Sequence, residues 1–219
     1  MTNSAVHAAR LSGSEPGPMR VQSVLTVLAV WLAAILALGA SGIFIGAPGR
    51  PPLAVFGAAV VPVILFATAL RTSPAFRTFV LTLDIRLIVA FQGWRYAGFG
   101  FLALYTNHVL PGLFAWPAGL GDMAIGIVAP LWILALVRNP DAVKSSRFRL
   151  WNALGILDFI VAFTTATICA MLITDPNAAS ITPMGQLPLV LIPVFMVPLF
   201  AMLHIVALMQ SNRARAGDS

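Results

Sequence analysis

The chain has 219 residues, of which 59% are hydrophobic and only 9% are charged, and its mean hydropathy is +0.93. Soluble domains carry about 25% charged residues, so this composition excludes a water-soluble fold. The net charge of +6 does not indicate a nucleic-acid partner, because the basic residues are dispersed and form no aromatic-interleaved stripe. We therefore expect one integral membrane domain whose main partner is the lipid bilayer.

Residues 1–20 are polar and rich in Ser, Gly and Pro, which predicts a flexible cytoplasmic tail. Six apolar stretches follow, each long enough to cross a membrane as a helix that rises about 1.5 Å per residue. The predicted spans are 21–43, 53–70, 87–106, 113–137, 151–173 and 187–209. The sequence thus predicts an all-α, polytopic bundle of six transmembrane helices within residues 21–209, followed by a second cytoplasmic tail at 210–219.

The sequence does not decide where the third helix begins or whether the fourth helix is continuous. Residues 75–86 are amphipathic, and they either lie along the cytoplasmic surface or extend the third span into one long tilted helix. In the fourth span, Pro117 suits a helix start and lies shortly after Pro111 and Gly112. We expect a kinked or discontinuous fourth helix with a short initial segment at 111–116, an arrangement that marks binding sites in transporters.

The distribution of basic residues predicts the orientation of the bundle. Of the 13 Lys and Arg residues, all but Arg50 and Arg95 fall in the N-terminal tail, the second and fourth loops and the C-terminal tail. Lys and Arg concentrate on the cytoplasmic side of membrane proteins. Both termini are therefore predicted to be cytoplasmic, in the inner (plasma) membrane of the cell.

Three charged residues lie inside the predicted spans, at Arg95, Asp122 and Asp158. Charges in the hydrocarbon region are costly, face the bundle interior and mark functional sites by default. Small residues surround both acids at helical spacing, among them Ala118 and Gly155, and such faces allow neighbouring helices to approach closely. From residue counts along the spans, Arg95 lies within reach of either aspartate.

His204 falls in the sixth span at a depth close to that of Asp158. With Arg95 and Asp122, these residues form a predicted polar cluster that suits a substrate or ion pathway, since a histidine with a near-neutral pKa can relay protons. The leading interpretation is a small transporter or a proton- or ion-coupled translocator. The alternative is a structural or accessory subunit without catalysis, in which the charges only hold helices together.

A third interpretation is an intramembrane hydrolase, because Gly119-Leu120-Gly121-Asp122 resembles the Gly-x-Gly-Asp motif of intramembrane aspartyl proteases. The resemblance implies a catalytic pair of Asp122 and Asp158 in which one carboxylate activates water while the other is protonated. Gln186-Leu187-Pro188-Leu189 loosely resembles the Pro-Ala-Leu region of the presenilin-like branch. The order of the two aspartates is the reverse of that family's order, and residue 157 is Leu where that branch has Tyr.

No cofactor or metal site is predicted. Cys169 is the single cysteine, so neither an intrachain disulfide nor a cysteine metal motif can form. His108 and His204 fall at opposite ends of the bundle, which excludes them as paired haem ligands. Helix-mediated homo- or hetero-oligomers are compatible with this class of protein.

Overall fold

The computed structural model of the chain describes residues 21–217, and every regular element in this range is helical. The predicted tail at residues 1–20 lies outside the described residues. The helices are α1 (Val21–Ala40), α2 (Leu53–Thr72), α3 (Pro74–Leu81), α4 (Ile85–Thr106), α5 (Gly112–Arg138), α6 (Ser146–Leu172) and α7 (Ile192–Ala216). Among these described helices, all except α3 are long and apolar enough to cross a membrane. The predicted all-α class with six apolar spans is confirmed.

The last two spans have different ends from those predicted. α6 begins at Ser146 rather than 151, because the Ser145 hydroxyl caps it by accepting a hydrogen bond from the Phe148 amide at 3.1 Å. α7 begins at Ile192 rather than 187, because residues 187–190 form turns. It continues as a helix to Ala216, beyond the predicted end at 209.

The amphipathic segment at 75–86 does not extend the third span. It forms the separate short helix α3, which Pro74 begins and the Ser73 hydroxyl caps. Asp84 then caps the start of α4 by accepting from the Arg86 amide at 2.9 Å. The Gln210 amide of α7 donates to the carbonyls of Val80 and Leu83, so α3 and the turn after it are attached to the bundle.

The expected discontinuity of the fourth span, with a separate initial segment at 111–116, is wrong. α5 runs without a break from Gly112 through Pro117 and Pro130 to Arg138. Pro111, with an extended backbone, precedes the first residue of the helix, so the helix starts before Pro117 and not at it. A proline inside the helix removes one backbone hydrogen bond, and the packing of neighbouring helices makes this tolerable in transmembrane helices.

Irregular winding occurs instead in α4 and at the start of α7, where Ile192–Met196 form a π-helical turn. Residues Ile85–Gln92 and Phe99–Thr106 are α-helical, and Gly93–Gly98 between them form a tighter 3₁₀ segment. A 3₁₀ stretch within a helix often marks a hinge or a functional site. This segment carries Arg95, which is only 2% exposed, and it packs against α5.

The bundle has two ends that differ in packing. At the terminal end, where α3 and residues 139–145 contact the last turns of α7, aromatic rings fill the interior, with Trp132 and Phe148 5.1 Å apart between ring centroids. At the loop end, residues 44–52 lie beside the last turn of α6, where the Gly49 amide donates to the Ala170 carbonyl at 3.0 Å. Arg95 of α4, Asp122 of α5 and Asp158 of α6 lie between these two ends.

Candidate functional site

Arg95 joins three helices through its guanidinium group. Its Nε donates to Oδ1 of Asp122 on α5 at 2.7 Å, and its Nη2 donates to Oδ2 of Asp158 on α6. The Arg95 side chain is 1% exposed, whereas those of Asp122 and Asp158 are 16% and 10% exposed. The three charged residues predicted from the sequence are therefore in direct contact, and Arg95 binds both acids rather than one of them.

The remaining side of the guanidinium faces α6 and α7. Nη1 of Arg95 lies 3.2 Å from the Gly155 carbonyl, to which it donates, and 3.0 Å from Nε2 of His204. The central carbon of the guanidinium lies 4.0 Å from the centre of the Phe159 ring, a geometry that stabilises a cation through the ring's negative face. The guanidinium is thus held on each side by an oxygen, a nitrogen or an aromatic face.

His204 supports the guanidinium as a neutral acceptor. Asn152 donates from Nδ2 to the Phe148 carbonyl at 2.9 Å, which leaves its Oδ1 to accept from Nδ1 of His204 at 2.9 Å. Because Nδ1 carries the hydrogen, Nε2 has a free lone pair, and it accepts from the Nη1 group of Arg95. His204 is completely buried, so its role in this arrangement is to orient Arg95.

Glycines allow these groups to approach one another. A side-chain carbon at Gly121 would overlap the Asp158 carboxylate, and one at Gly155 would overlap the His204 ring. Gly98 and Gly126 are in the same situation against Asp122 and against the backbone of α4. The glycines that give this part of the sequence its Gly-x-Gly-Asp pattern therefore have a packing role beside the charged cluster.

The ionic groups of the cluster do not balance. One guanidinium binds two carboxylates while His204 is neutral, so the ionised cluster has one surplus negative charge. A buried charge without a counter-charge is expensive in a low-dielectric interior. The surplus is removed when a carboxylate takes up a proton or when a cation approaches it.

A cavity of about 300 Å³ reaches the two carboxylates from the loop end. Asp122 and Asp158 line its inner end, and Arg50 and Asp175 lie among the residues that line it at the loop end. Arg95 and His204 are absent from this lining and lie behind the carboxylates. A solute in the cavity would therefore meet the two aspartates and would not meet Arg95.

The arrangement differs from that of an aspartyl protease pair. In such a pair two carboxylates share one proton, whereas here the hydrogen bonds of Asp122 and Asp158 both lead to Arg95. The guanidinium supplies the positive charge that a shared proton would supply. The geometry gives no support to the hydrolase interpretation that the motif suggested.

Two further residues of the site were missed from the sequence. Asn152 was the second residue of the predicted span 151–173 and was not singled out; the observed helix begins at Ser146, which places Asn152 nearly two turns inside. Phe159 was one of many aromatic residues, and only its contact with Arg95 distinguishes it. The sequence did contain a signal for Asn152. It lies three residues before Gly155 and six before Asp158, so at helical spacing it continues the same small and polar face of α6.

Polar groups near the cluster do not form a metal centre. Within residues 21–217, no three His, Cys, Asp or Glu side chains are grouped as metal ligands. Gln92, one turn before Arg95, donates to the Phe200 carbonyl at 3.3 Å. Its Oε1 has no hydrogen-bond partner among the described residues.

One family model, described as "Domain of unknown function (DUF8737)", matches residues 52–210. The chain belongs to this family. The matched region includes α2–α6 and most of α7 and therefore contains all members of the charged cluster, but α1 and residues 44–51 at the loop end lie outside it. No curated protein and no solved structure matches the chain.

Proposed function

We propose that this membrane protein translocates protons or cations, and that Asp122 and Asp158 carry the exchangeable negative charge. The observation that supports the proposal most strongly is that two carboxylates share one guanidinium at the inner end of a cavity. A cluster of this composition gains a positive charge at low energetic cost, because binding removes the surplus negative charge.

In this proposal the residues have different tasks. Asp122 and Asp158 take up and release the positive charge, because they line the cavity. Arg95 holds the two carboxylates together and keeps the site from becoming doubly negative. His204 and Asn152 orient Arg95 and do not contact the transported charge.

The proposed path has one open side and one closed side. By the positive-inside rule, the loop end faces away from the cytoplasm, since Arg50 is the one Lys or Arg that the sequence assigns to the loops of that side. Access from the cytoplasm requires the aromatic packing around Trp132, Phe148 and Trp151 to open. The 3₁₀ segment Gly93–Gly98 of α4 is the element that would adjust, because it joins two α-helical halves next to Arg95.

A flux measurement tests the proposal. The purified protein is reconstituted into vesicles that contain a pH-sensitive dye, and an imposed membrane potential drives proton movement. We expect Asp122→Asn and Asp158→Asn each to abolish the flux, because each removes the surplus negative charge. Asp84→Asn is the matched control, since Asp84 is an exposed acid whose partner is Arg86.

The same variants address the accessory-subunit alternative. If the cluster only holds helices together, the Asp122 and Asp158 variants lose thermal stability in detergent, and the wild-type protein shows no flux. Proton translocation by the cluster is ruled out if both variants conduct protons as the wild type does, or if wild-type vesicles conduct no more protons than empty ones.

A further inference from the structure

We infer that the cavity binds a small organic cation that has one ammonium group on an apolar body. This inference rests on the proposed function and specifies the substrate class of the same site. It is drawn from the residues that line the cavity, which are acidic at the inner end and mainly apolar along the walls.

The size and walls of the cavity suit an apolar body. A volume of about 300 Å³ is at the lower limit of ordinary small-molecule sites, which span about 300–1,000 Å³. Many of the wall residues are aromatic or small, and they include Phe101, Phe114, Phe159, Ala162 and Ala166. Apolar surface that leaves water for such a cavity stabilises the bound state.

The inner end determines the sign of the ligand's charge. Asp122 and Asp158 each have one oxygen bound to Arg95, and both side chains retain some exposure beside the cavity. Arg95 is recessed and is only 1% exposed. An anionic ligand would face two carboxylates and could not reach the guanidinium, whereas a cation would neutralise the surplus negative charge.

The aromatic walls favour an ammonium group over a metal ion. Hard metal cations require several oxygen ligands to replace their water, and the walls next to the carboxylates are hydrocarbon. Phenyl rings attract weakly hydrated ammonium groups through their negative faces, and Phe159 already has such a contact with Arg95 at 4.0 Å. The charges at the loop end do not oppose entry of a cation, because Arg50 is accompanied there by Asp175.

Proton uptake and ligand binding would compete for the same charge. The ionisable groups that face Asp122 and Asp158 are Arg95 on α4 and His204 on α7, and Arg50 and Asp175 line the loop end of the cavity. Protonation of either carboxyl removes the surplus negative charge without altering the apolar walls. Affinity for a permanently charged cation should therefore decrease as the solution is acidified.

Benzyltrimethylammonium is a suitable probe, because its carbon isostere, neopentylbenzene, has the same shape and no charge. Binding of the radiolabelled cation to the intact protein in detergent is measured at equilibrium, with neopentylbenzene as a competitor. We expect saturable binding of the cation and at least about tenfold weaker competition by the isostere, since a tenfold difference in affinity corresponds to only about 1.4 kcal/mol.

Two kinds of variant test separately whether binding requires the negative charge and whether it requires the volume of the cavity. Asp158→Asn should reduce affinity by at least about tenfold because it removes the surplus charge. Ala162→Phe should block binding through the bulk of its ring while all charges remain, and Ala166→Phe replaces it if that variant does not fold. Asp84→Asn should bind the cation as the wild type does.

The outcomes distinguish this inference from the proposed function. Equal competition by neopentylbenzene overturns the inference, because the site would then select shape without charge. Unchanged binding in both Asp158→Asn and the ring-bearing variant overturns it as well, since the cation would then bind elsewhere. If the cation does not bind but the proton flux still requires Asp122 and Asp158, the ligand class is wrong and the translocation proposal stands. Binding without any proton flux supports the site and limits the translocation proposal to cations.

Discussion

Two arginines of α4 both bind aspartates, but their positions along the helix place one in solvent and the other in the interior. Arg86, at the start of α4, donates to Asp84 at 2.8 Å, and the two side chains are 53% and 37% exposed. Arg95, about two and a half turns later, binds Asp122 and Asp158, and its side chain is 1% exposed. The first pair balances its charges in contact with solvent, while the second group is buried and has one carboxylate too many.

This difference shows that the stability of an ionic group depends on the number of its charged partners as much as on its burial. An exposed pair contributes little to stability, because water and salt screen it and ordering the side chains costs entropy. A buried group depends on every charge it contains, because the interior does not screen them. The Arg86–Asp84 pair is therefore the internal control for each experiment on the Arg95 cluster.

The largest effect should come from removing the buried cation. Arg95→Gln leaves two carboxylates close together without a counter-charge, and breaking a buried ion pair in this way costs about 3–5 kcal/mol. Unfolding in mixed micelles, followed by circular dichroism during titration with SDS, measures the change in stability. Arg86→Gln serves as the control and should leave the midpoint nearly unchanged. An equal, small shift for both variants would contradict the difference drawn between the two arginines.

Close approach at a glycine should give the next largest effect. A methyl group at Gly155 would overlap the His204 ring, which is fully buried and cannot move aside freely. We expect Gly155→Ala to destabilise the protein by about 1–3 kcal/mol, the usual cost of overpacking. Gly100→Ala is the matched control, since no atom lies within 4 Å of the added methyl group. A neutral Gly155→Ala variant would mean that α6 and α7 are not closely packed at the cluster.

Balancing the charges should change stability only slightly. Asp158→Asn leaves Arg95 with Asp122, a neutral pair, and we expect a change within about 1 kcal/mol because the lost hydrogen bond is offset by the removed surplus charge. The double variant Asp122→Asn/Asp158→Asn leaves the guanidinium without an acid and should lose about 3–5 kcal/mol. Thermal unfolding of both variants in the same detergent measures this non-additivity. If each single variant loses half of what the double variant loses, the surplus-charge account is wrong.

The smallest effect should come from the exposed pair and should appear only in acid. The hydrogen bond from the Arg86 side chain holds the pKa of Asp84 below its ordinary value. The pair's contribution is therefore present at neutral pH and disappears as the pH falls through that lowered pKa, below about pH 4. Midpoints of wild type and Asp84→Asn, compared across acidic pH, should converge in this range. A difference that grows on acidification would have the opposite sign and would contradict the assignment.

The global architecture could be predicted from the sequence because it depends on long-range averages. Runs of apolar residues determine which segments can cross a membrane, and six such segments were identified with the correct helical class. The cluster was also accessible, because Arg95, Asp122 and Asp158 are charges inside apolar runs and require partners. Residue counts along the helices placed Arg95, Asp158 and His204 at similar depths and Asp122 somewhat higher, and they indicated that Arg95 could reach either acid.

Local winding and geometry could not be predicted in the same way. The prolines of α5 suggested an interruption, yet a helix tolerates Pro117 when its start lies earlier, at Gly112. The 3₁₀ segment in α4 depends on packing against α5, which no single-segment pattern contains. The stoichiometry of two acids to one arginine likewise requires the relative rotation of three helices. Asn152 was missed because its contact with His204 joins two helices and is not contained in the sequence of α6 alone.

The central claim is that a carboxyl group of the cluster changes its protonation in exchange with the cavity. Difference infrared spectroscopy of the reconstituted protein, recorded between neutral and acidic solution, reports this directly through the carbonyl stretch of a protonated carboxylic acid. We predict a band from a buried carboxyl group that is retained in Asp84→Asn and absent in the double variant Asp122→Asn/Asp158→Asn. A spectrum in which the double variant keeps the same band, or in which the wild type shows no buried titrating carboxyl, would contradict the account.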